Sequence, residues 1–115
     1  MKRFRIGNDI SVTWNVVKGD QAVDFSSKSV SVYLTNPKGR ELVNAEDVTI
    51  SGNMVSFVLP GLDQKVLGKY TITVDARYSE GGRYLIQDKC NAFELVGRSC
   101  AECDEPEDIN YSILL

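Results

Sequence analysis

The sequence predicts an all-β sandwich of about seven to eight short strands. Apolar and polar residues alternate along many short segments, and this period of two indicates strands with one buried face. Turn residues interrupt these segments roughly every 8–12 positions, the spacing typical of a sandwich. No segment has helical periodicity long enough to compete. At 115 residues, the chain is expected to form one domain that buries about two thirds of its unfolded surface.

The segment 68–96 organises the prediction, because it contains the most regular alternation and the clearest turn. The even positions from Tyr70 to Tyr78 are apolar or small, and the odd positions are polar. The glycines of Glu80-Gly81-Gly82 can adopt the positive φ angles of a tight hairpin. In the returning strand, Tyr84 and Ile86 have one parity and Phe93 and Leu95 the other. A bulge is therefore expected between Gln87 and Ala92.

The amino-terminal half contains the first strands in chain order. A short strand is predicted around Phe4 and Ile6, and a firmer one over 10–17, in which Trp14 is expected to be a core anchor. Turn residues 18–21 follow, after which Val23 and Phe25 return to the core. A further strand over 30–35 stops at Asn36-Pro37-Lys38-Gly39, where proline fixes φ for the second turn position.

Shorter elements fill the middle of the chain. A partner strand is expected over 41–43, followed by a loop over 44–47. Strands over 48–50 and 54–59 flank the turn Ser51-Gly52-Asn53. The segment 62–67 has three polar residues between apolar ones, which suits a single helical turn.

One local pattern makes the architecture more specific. Tyr70 opens its strand two residues before the apolar Ile72, as the tyrosine corner of immunoglobulin-like sandwiches does. Ile72 occupies the place of the second cysteine of true immunoglobulin domains, and Trp14 lies too early to be their strand-C tryptophan. The prediction is therefore an immunoglobulin-like antiparallel sandwich over residues 1–96 without the characteristic disulfide.

The composition changes after Val96. Residues 97–108 are rich in Asp and Glu and poor in apolar residues, which is typical of a solvated acidic linker. Residues 109–115 are apolar again and form a C-terminal strand or stub. This strand needs a partner, which is an edge of the same sandwich, a neighbouring chain or a further region.

Charge and hydropathy exclude several classes of partner. The net charge of −3 argues against nucleic acid and against anionic membrane surfaces. The basic start, Met1 to Arg5, has no apolar region behind it to make a secretory signal, and no apolar run approaches a membrane span. We therefore expect synthesis in the cytoplasm, where three cysteines, an odd number, fit a reducing compartment.

No residue set predicts a metal, cofactor or catalytic site. Cys100 and Cys103 have a metal-like spacing, but the chain has no His and only Cys90 as a further thiol, so exposed linker thiols are favoured and Cys90 is expected in the core. The acidic run lacks the residue order of a calcium loop. A nucleophile motif is also missing, so we expect no enzymatic activity.

The strands and turns over Val12–Val17, Lys18–Ser26 and Val30–Gly39 resemble the start of phage and prophage baseplate upper proteins and related tail-fibre amino-terminal domains. The hairpin Gly81–Tyr84 and the strand Asn91–Val96 are also similar to this family. The resemblance spans about residues 4 to 108. It implies a structural domain of a virion that docks onto other tail or baseplate proteins, or onto copies of itself, without a cofactor.

Two groups of residues are candidates for such contacts. The apolar C-terminal strand offers the larger group, and Arg3 and Arg5 could form a flexible basic arm that grips an acidic neighbour. The C-terminal candidates are Ile109, Tyr111, Ile113, Leu114 and Leu115. Two alternatives stay open. A surface adhesion or carbohydrate-binding sandwich predicts clustered aromatics (Tyr33, Tyr78, Tyr84, Tyr111), and an enzyme-associated accessory domain predicts a pocket with convergent carboxylates.

Overall fold

The computed structural model describes residues 1–98 and 111–115, in which the chain forms eleven strands and two short 3-10 turns, Ala45–Asp47 and Gly61–Asp63. In chain order the strands are β1 (Lys2–Arg5), β2 (Ile10–Asn15), β3 (Val17–Lys18), β4 (Gln21–Ala22), β5 (Ser29–Asn36), β6 (Gly39–Leu42), β7 (Val48–Ser51), β8 (Met54–Leu59), β9 (Gly68–Arg77), β10 (Arg83–Val96) and β11 (Tyr111–Leu114). The count exceeds the predicted seven to eight because the turn over 18–21 carries the two-residue strands β3 and β4, and the C-terminal segment adds another.

The strands form the predicted sandwich. A five-stranded sheet has the order β1-β10-β9-β5-β6, a four-stranded sheet has the order β11-β2-β8-β7, and β3 and β4 form a separate small hairpin. The orders β10-β9-β5-β6 and β2-β8-β7 match strands G-F-C-C′ and B-E-D of an immunoglobulin-like sandwich. The place of strand A, beside B, belongs here to the C-terminal strand β11.

Two edge pairs depart from the antiparallel arrangement that the sequence predicts. β1 runs parallel to β10, and β11 runs parallel to β2, whereas the other strand pairs of the described chain are antiparallel. Neither pair consists of consecutive strands, so no hairpin imposes the antiparallel direction on it. The alternation of apolar and polar residues within one strand does not indicate the direction of the neighbouring strand.

The core lies between the two sheets and is almost entirely apolar. Trp14 is 4% exposed, which confirms its role as a core anchor, and Val23 and Phe25 are buried as predicted. Phe4 is buried as well. Burying each large apolar side chain contributes about 1.5–3 kcal/mol. The largest fully buried side chains of the core are Phe4, Ile10, Val12, Val16, Val32, Val55, Ile72, Val74, Phe93 and Leu95.

Tyr70 forms the tyrosine corner that the sequence predicts. Its hydroxyl donates a hydrogen bond of 2.7 Å to the carbonyl oxygen of Val66, four residues upstream. Its ring stacks on Phe93 with centroids 5.0 Å apart. Burial, and secondarily the charge of Glu41, raise the pKa of Tyr70. The hydroxyl therefore remains a neutral donor that ties the β8–β9 connection to the core.

β10 has two irregularities: one lies between Arg83 and Leu85, and the other lies where the sequence predicts a bulge, but its form differs from the prediction. Lys89 faces Ile72 and Phe93 faces Tyr70, so four steps along β10 match two steps along β9. An insertion of two residues preserves the alternation and does not reverse it. Asn91, at φ 51°, adopts the left-handed conformation within this insertion.

Three expectations for the hairpin are wrong. Cys90 is exposed and not in the core, because it lies in the inserted residues outside the regular ladder. Tyr78 is 41% exposed because β9 ends at Arg77 and Tyr78 already belongs to the turn. Ile86 is 47% exposed because the register places it opposite Asp75, on the outer face of the sheet.

Gln64 ties two loops together at one end of the sandwich. Its side-chain amide accepts a 2.9 Å hydrogen bond from the Gly7 amide and donates to the carbonyl oxygens of Asn8 (2.7 Å) and Leu59 (3.2 Å). The 3-10 turn Gly61–Asp63 ends directly before it and is shorter than the helical turn predicted over 62–67. These bonds fix the crossing from β1 to β2.

Tyr70→Phe removes the tyrosine-corner hydrogen bond and keeps the ring. We expect the free energy of unfolding to fall by about 1 kcal/mol, because a part-buried carbonyl loses its donor. Urea unfolding monitored by Trp14 fluorescence measures the change. Equal midpoints for the variant and the wild-type protein would show that the corner contributes nothing.

Gln64→Leu keeps the side chain's size but leaves three backbone groups of two loops without their partner. We expect a loss of about 2–4 kcal/mol, since each net hydrogen bond contributes about 1 kcal/mol and unpaired buried groups cost more. Gln87→Leu is the matched control, because the amide of Gln87 donates to Val17 in an exposed position. A control as destabilised as Gln64→Leu would contradict the role of Gln64.

Candidate functional site

The outer face of the five-stranded sheet carries a charged patch that we call the arginine face. Pairing of β5 with β6 and β9, and of β9 with β10, brings side chains from four strands together around an open depression of about 560 Å³. The arginine face consists of Tyr33, Arg40, Leu42, Asp75, Arg77, Arg83 and Ile86. Its members lie up to 53 positions apart in the chain, from 33 to 86, so only the sheet assembles them.

Asp75 is the central group of the arginine face. The carboxylate belongs to a residue that is only 5% exposed, although it lies on the outer side of β9. Arg77 donates through Nε (3.4 Å) and Nη2 (3.3 Å), and Arg83 donates through Nη2 (3.4 Å). A buried carboxylate needs such partners, because an unpaired charge in this position would be costly.

These contacts shift the pKa values of Asp75 and Arg77. Burial raises the pKa of Asp75, but the hydrogen bonds and charges of Arg77 and Arg83 together outweigh it and place the pKa below the ordinary value. The hydrogen bond and charge of Asp75 in turn raise the pKa of Arg77. Asp75 is therefore a carboxylate at neutral pH, and it orients two guanidinium groups that are both about half exposed.

The rest of the arginine face combines a third cation with exposed apolar groups. The guanidinium carbon of Arg40 lies 3.8 Å from the centroid of the Tyr33 ring, a cation–π contact. Leu42 and Ile86 are 63% and 47% exposed. Two guanidinium groups thus hold one carboxylate, and a third lies on a tyrosine ring of the same depression, with aliphatic surface beside them. This combination is suited to contact with an acidic protein surface.

Sequence reasoning did not find this face, because it assigned the odd positions of β9 to solvent. Thr73 and Asp75 are buried at 6% and 5% exposure, so the middle of β9 is covered on both faces. Thr73 donates a hydrogen bond to Asp88 on β10. The available signal was charge: an aspartate in mid-strand, with arginines two and eight positions later, predicts an ion-pair cluster across a hairpin.

The two arginines proposed as a basic arm lie in a sheet. β1 pairs with β10 along Lys2 to Arg5, so a flexible arm is ruled out for this segment. Arg3 Nε lies 3.1 Å from Glu94 Oε1 on the neighbouring strand. Exposed ion pairs of this kind contribute about 0–1 kcal/mol.

The C-terminal candidates that the structure describes, from Tyr111 onwards, pair with an edge of the same sandwich, the first of the three alternatives. Ile113 is 6% exposed and packs in the core, Leu115 packs against it, and Leu114 is 72% exposed. Tyr111 begins β11. Ile109, the acidic run, Cys100 and Cys103 lie outside the described residues. Within residues 1–98 and 111–115, no group of three or more Cys, Asp or Glu side chains is placed to hold a metal ion.

The aromatic residues are only partly clustered. Tyr78 and Tyr84 pack edge to face with centroids 5.5 Å apart, and Lys28 Nζ lies 4.6 Å from the Tyr84 centroid. Tyr33 belongs to the arginine face, beneath Arg40. The rings therefore form two separate contacts, each already engaged by a cation.

Asp75→Asn is expected to lower the free energy of unfolding by about 1–2 kcal/mol at pH 7, less than for a fully buried pair because both arginines are half exposed. The folded-state pKa of Asp75 is depressed, so its contribution is fully present above the unfolded value of about 4 and is lost as pH falls through the lower folded value. The free energies of unfolding of the wild-type protein and of Asp75→Asn, measured between pH 7 and pH 2, should therefore converge in acid. A constant difference across this range would exclude ionisation of Asp75 as the cause.

The described part of the chain contains no helix long and apolar enough to cross a bilayer. Comparisons with protein-family models, with curated proteins and with solved structures found no match to this chain. Its function must therefore be argued from the surface that the fold presents, and the arginine face is the most distinctive feature of that surface.

Proposed function

We propose that this protein is a non-enzymatic assembly domain that docks onto a carboxylate-rich surface of another protein through the arginine face. The observation that carries the proposal is one depression lined by Arg77 and Arg83 on the buried Asp75, by Arg40 on the Tyr33 ring, and by exposed aliphatic side chains. Such a face offers both a driving force for association and a charge pattern that selects the partner.

The arginines are held in place before any partner binds. Asp75 fixes two guanidinium groups, and the Tyr33 ring supports the third. Fixed side chains lose less rotamer entropy on association, which otherwise costs about 0.5–1.5 kcal/mol for each immobilised side chain. Guanidinium groups also pair with carboxylates through two parallel hydrogen bonds, which adds geometric selectivity.

Leu42 and Ile86 supply the apolar part of the interface. Both are largely exposed in the isolated domain, and burying apolar surface contributes about 25 cal/mol per Å². Together with the arginines they match the composition of docking surfaces, in which arginine and large apolar residues are enriched.

We further propose that the assembly is a phage or prophage tail or baseplate, which places the protein in the virion. The resemblance of the segments 12–39 and 81–96 to baseplate upper proteins supports this assignment. A sandwich that presents an open sheet face is also suited to holding other proteins together. Synthesis in the cytoplasm of the host fits a virion assembled there.

A carbohydrate-binding module is the alternative function, and the pair Tyr78 and Tyr84 is the observation that favours it. Sugar binding needs an open aromatic face, whereas Lys28 lies over both rings. The docking function is therefore preferred. A glycan array on which the wild-type protein gives binding that is lost in Tyr84→Ala would reverse this preference.

Reconstitution with the proteins encoded beside it in its genome tests the docking function. We expect those genes to encode tail proteins, and we expect the chain to coelute with one of them in size-exclusion chromatography. Arg40→Glu and Leu42→Asp should each weaken this complex by about tenfold or more, since hot-spot substitutions cost about 2 kcal/mol. Affinity is measured by calorimetry.

Leu62→Asp is the matched control, because Leu62 is 94% exposed but lies in the 3-10 turn outside the arginine face. It should bind as the wild-type protein does. Circular dichroism checks that all three variants are folded. The proposal fails if the control and the face variants bind equally, or if the neighbouring genes have no connection to a tail.

A further inference from the structure

We infer that β11 can be exchanged between two copies of this chain, so that the C-terminal strand of each copy pairs with β2 of the other. The partner is a second copy, and the site is the edge of β2 together with the core space that Ile113 fills. This inference goes beyond docking through the arginine face, because it concerns a different edge of the sandwich.

The contacts of β11 are of a kind that exchange preserves in full. Among the described strands, β11 pairs with β2 alone, in a parallel register from Tyr111 opposite Ile10 to Leu114 opposite Thr13. The ladder continues at Leu115, whose amide donates to Thr13 at 2.7 Å. A second copy offers the same hydrogen bonds and the same core space, so exchange costs no contact.

β2 needs a strand at this edge. Ile113, at 6% exposure, covers part of the core formed by Ile10 and Val12, which are themselves almost fully buried. Without a strand in this place, the edge would expose apolar side chains and unpaired backbone groups. The edge therefore takes either its own β11 or an identical one.

The connection to β11 is longer than its path requires. β1 ends beside Val96 in parallel with β10, and four residues (6–9) then carry the chain to Ile10 in the other sheet. β10 ends at the same end of the sandwich as β1, and β11 begins beside Ile10. The connection from β10 to β11 therefore crosses between the same two places as the connection from β1 to β2, yet it has fourteen residues (97–110). The surplus of about ten residues can span roughly 30 Å, enough to reach a neighbouring copy.

The concentration of the chain decides whether β11 pairs with β2 of its own copy or with β2 of another. A connection of fourteen residues holds β11 near its own edge at an effective concentration of about 1 mM. The isolated chain should thus be mostly closed on itself at micromolar concentration, and exchange should grow towards the millimolar range. An assembly that holds copies side by side supplies such a local concentration.

Cysteine cross-linking of two differently marked chains tests the exchange. In a background of Cys90→Ser, Cys100→Ser and Cys103→Ser, one chain carries Thr13→Cys and the other, with a mass tag, carries Leu114→Cys. Exchange alone places these two positions opposite each other across chains. After joint unfolding, refolding and oxidation, we expect covalent heterodimers whose yield rises by about tenfold or more between about 0.01 and 1 mM chain.

Two controls make the outcome decisive. The double variant Thr13→Cys with Leu114→Cys in one chain should close as a monomer, which shows that the bond can form. In the mismatched control, Thr49→Cys replaces Thr13→Cys. Thr13 lies opposite Ser56 and Ser56 lies opposite Thr49, so Thr49 is in the same cross-strand row but two strands away from Thr13. Heterodimers no more abundant than with Thr49→Cys overturn the exchange and leave the arginine face untouched. Arg40→Glu, added to both chains, should leave the yield unchanged.

Discussion

The middle of strand β9 is buried on both of its faces, and the rest of the structure depends on this constraint. Its inner side chains, Ile72 and Val74, form the centre of the core, while Thr73 and Asp75 are covered on the outer side. A buried carboxylate must be neutralised, and the arginines of β9 and β10 do so from a half-exposed position. The same ion pairs that allow β9 to be central therefore create the charged surface through which we propose that the domain docks.

The edges of the two sheets show a second constraint, which is that a sandwich must protect its outer strands. β1 covers the edge of β10, and β11 covers the edge of β2, both in parallel. The basic residues of β1 make that edge unattractive to other strands. β11 differs from β1, because it contributes Ile113 to the core and follows a connection of fourteen residues. One edge is thus closed by the fold itself, and the other by a strand that a second copy can also supply.

The two surfaces suit different steps of assembly. The arginines of the arginine face are held by contacts with Asp75 and Tyr33, and this underlies our proposal that the face recognises a partner of opposite charge. Pairing of β11 with β2 depends on main-chain hydrogen bonds and one apolar anchor, so it favours joining identical copies. In our two proposals, recognition and self-association therefore use separate surfaces and vary independently.

The sequence by itself determined the sandwich class, the organising hairpin, the tyrosine corner at Tyr70, the core position of Trp14 and the place of the irregularity in β10. These features follow from local alternation and turn chemistry, which a short window of residues records. Only the tertiary structure decided the parallel edge strands, the exposure of Cys90 and Ile86, and the burial of Asp75. Each of these depends on which strand lies beside which and in what register, and that information comes from residues distant in the chain, which no local pattern contains.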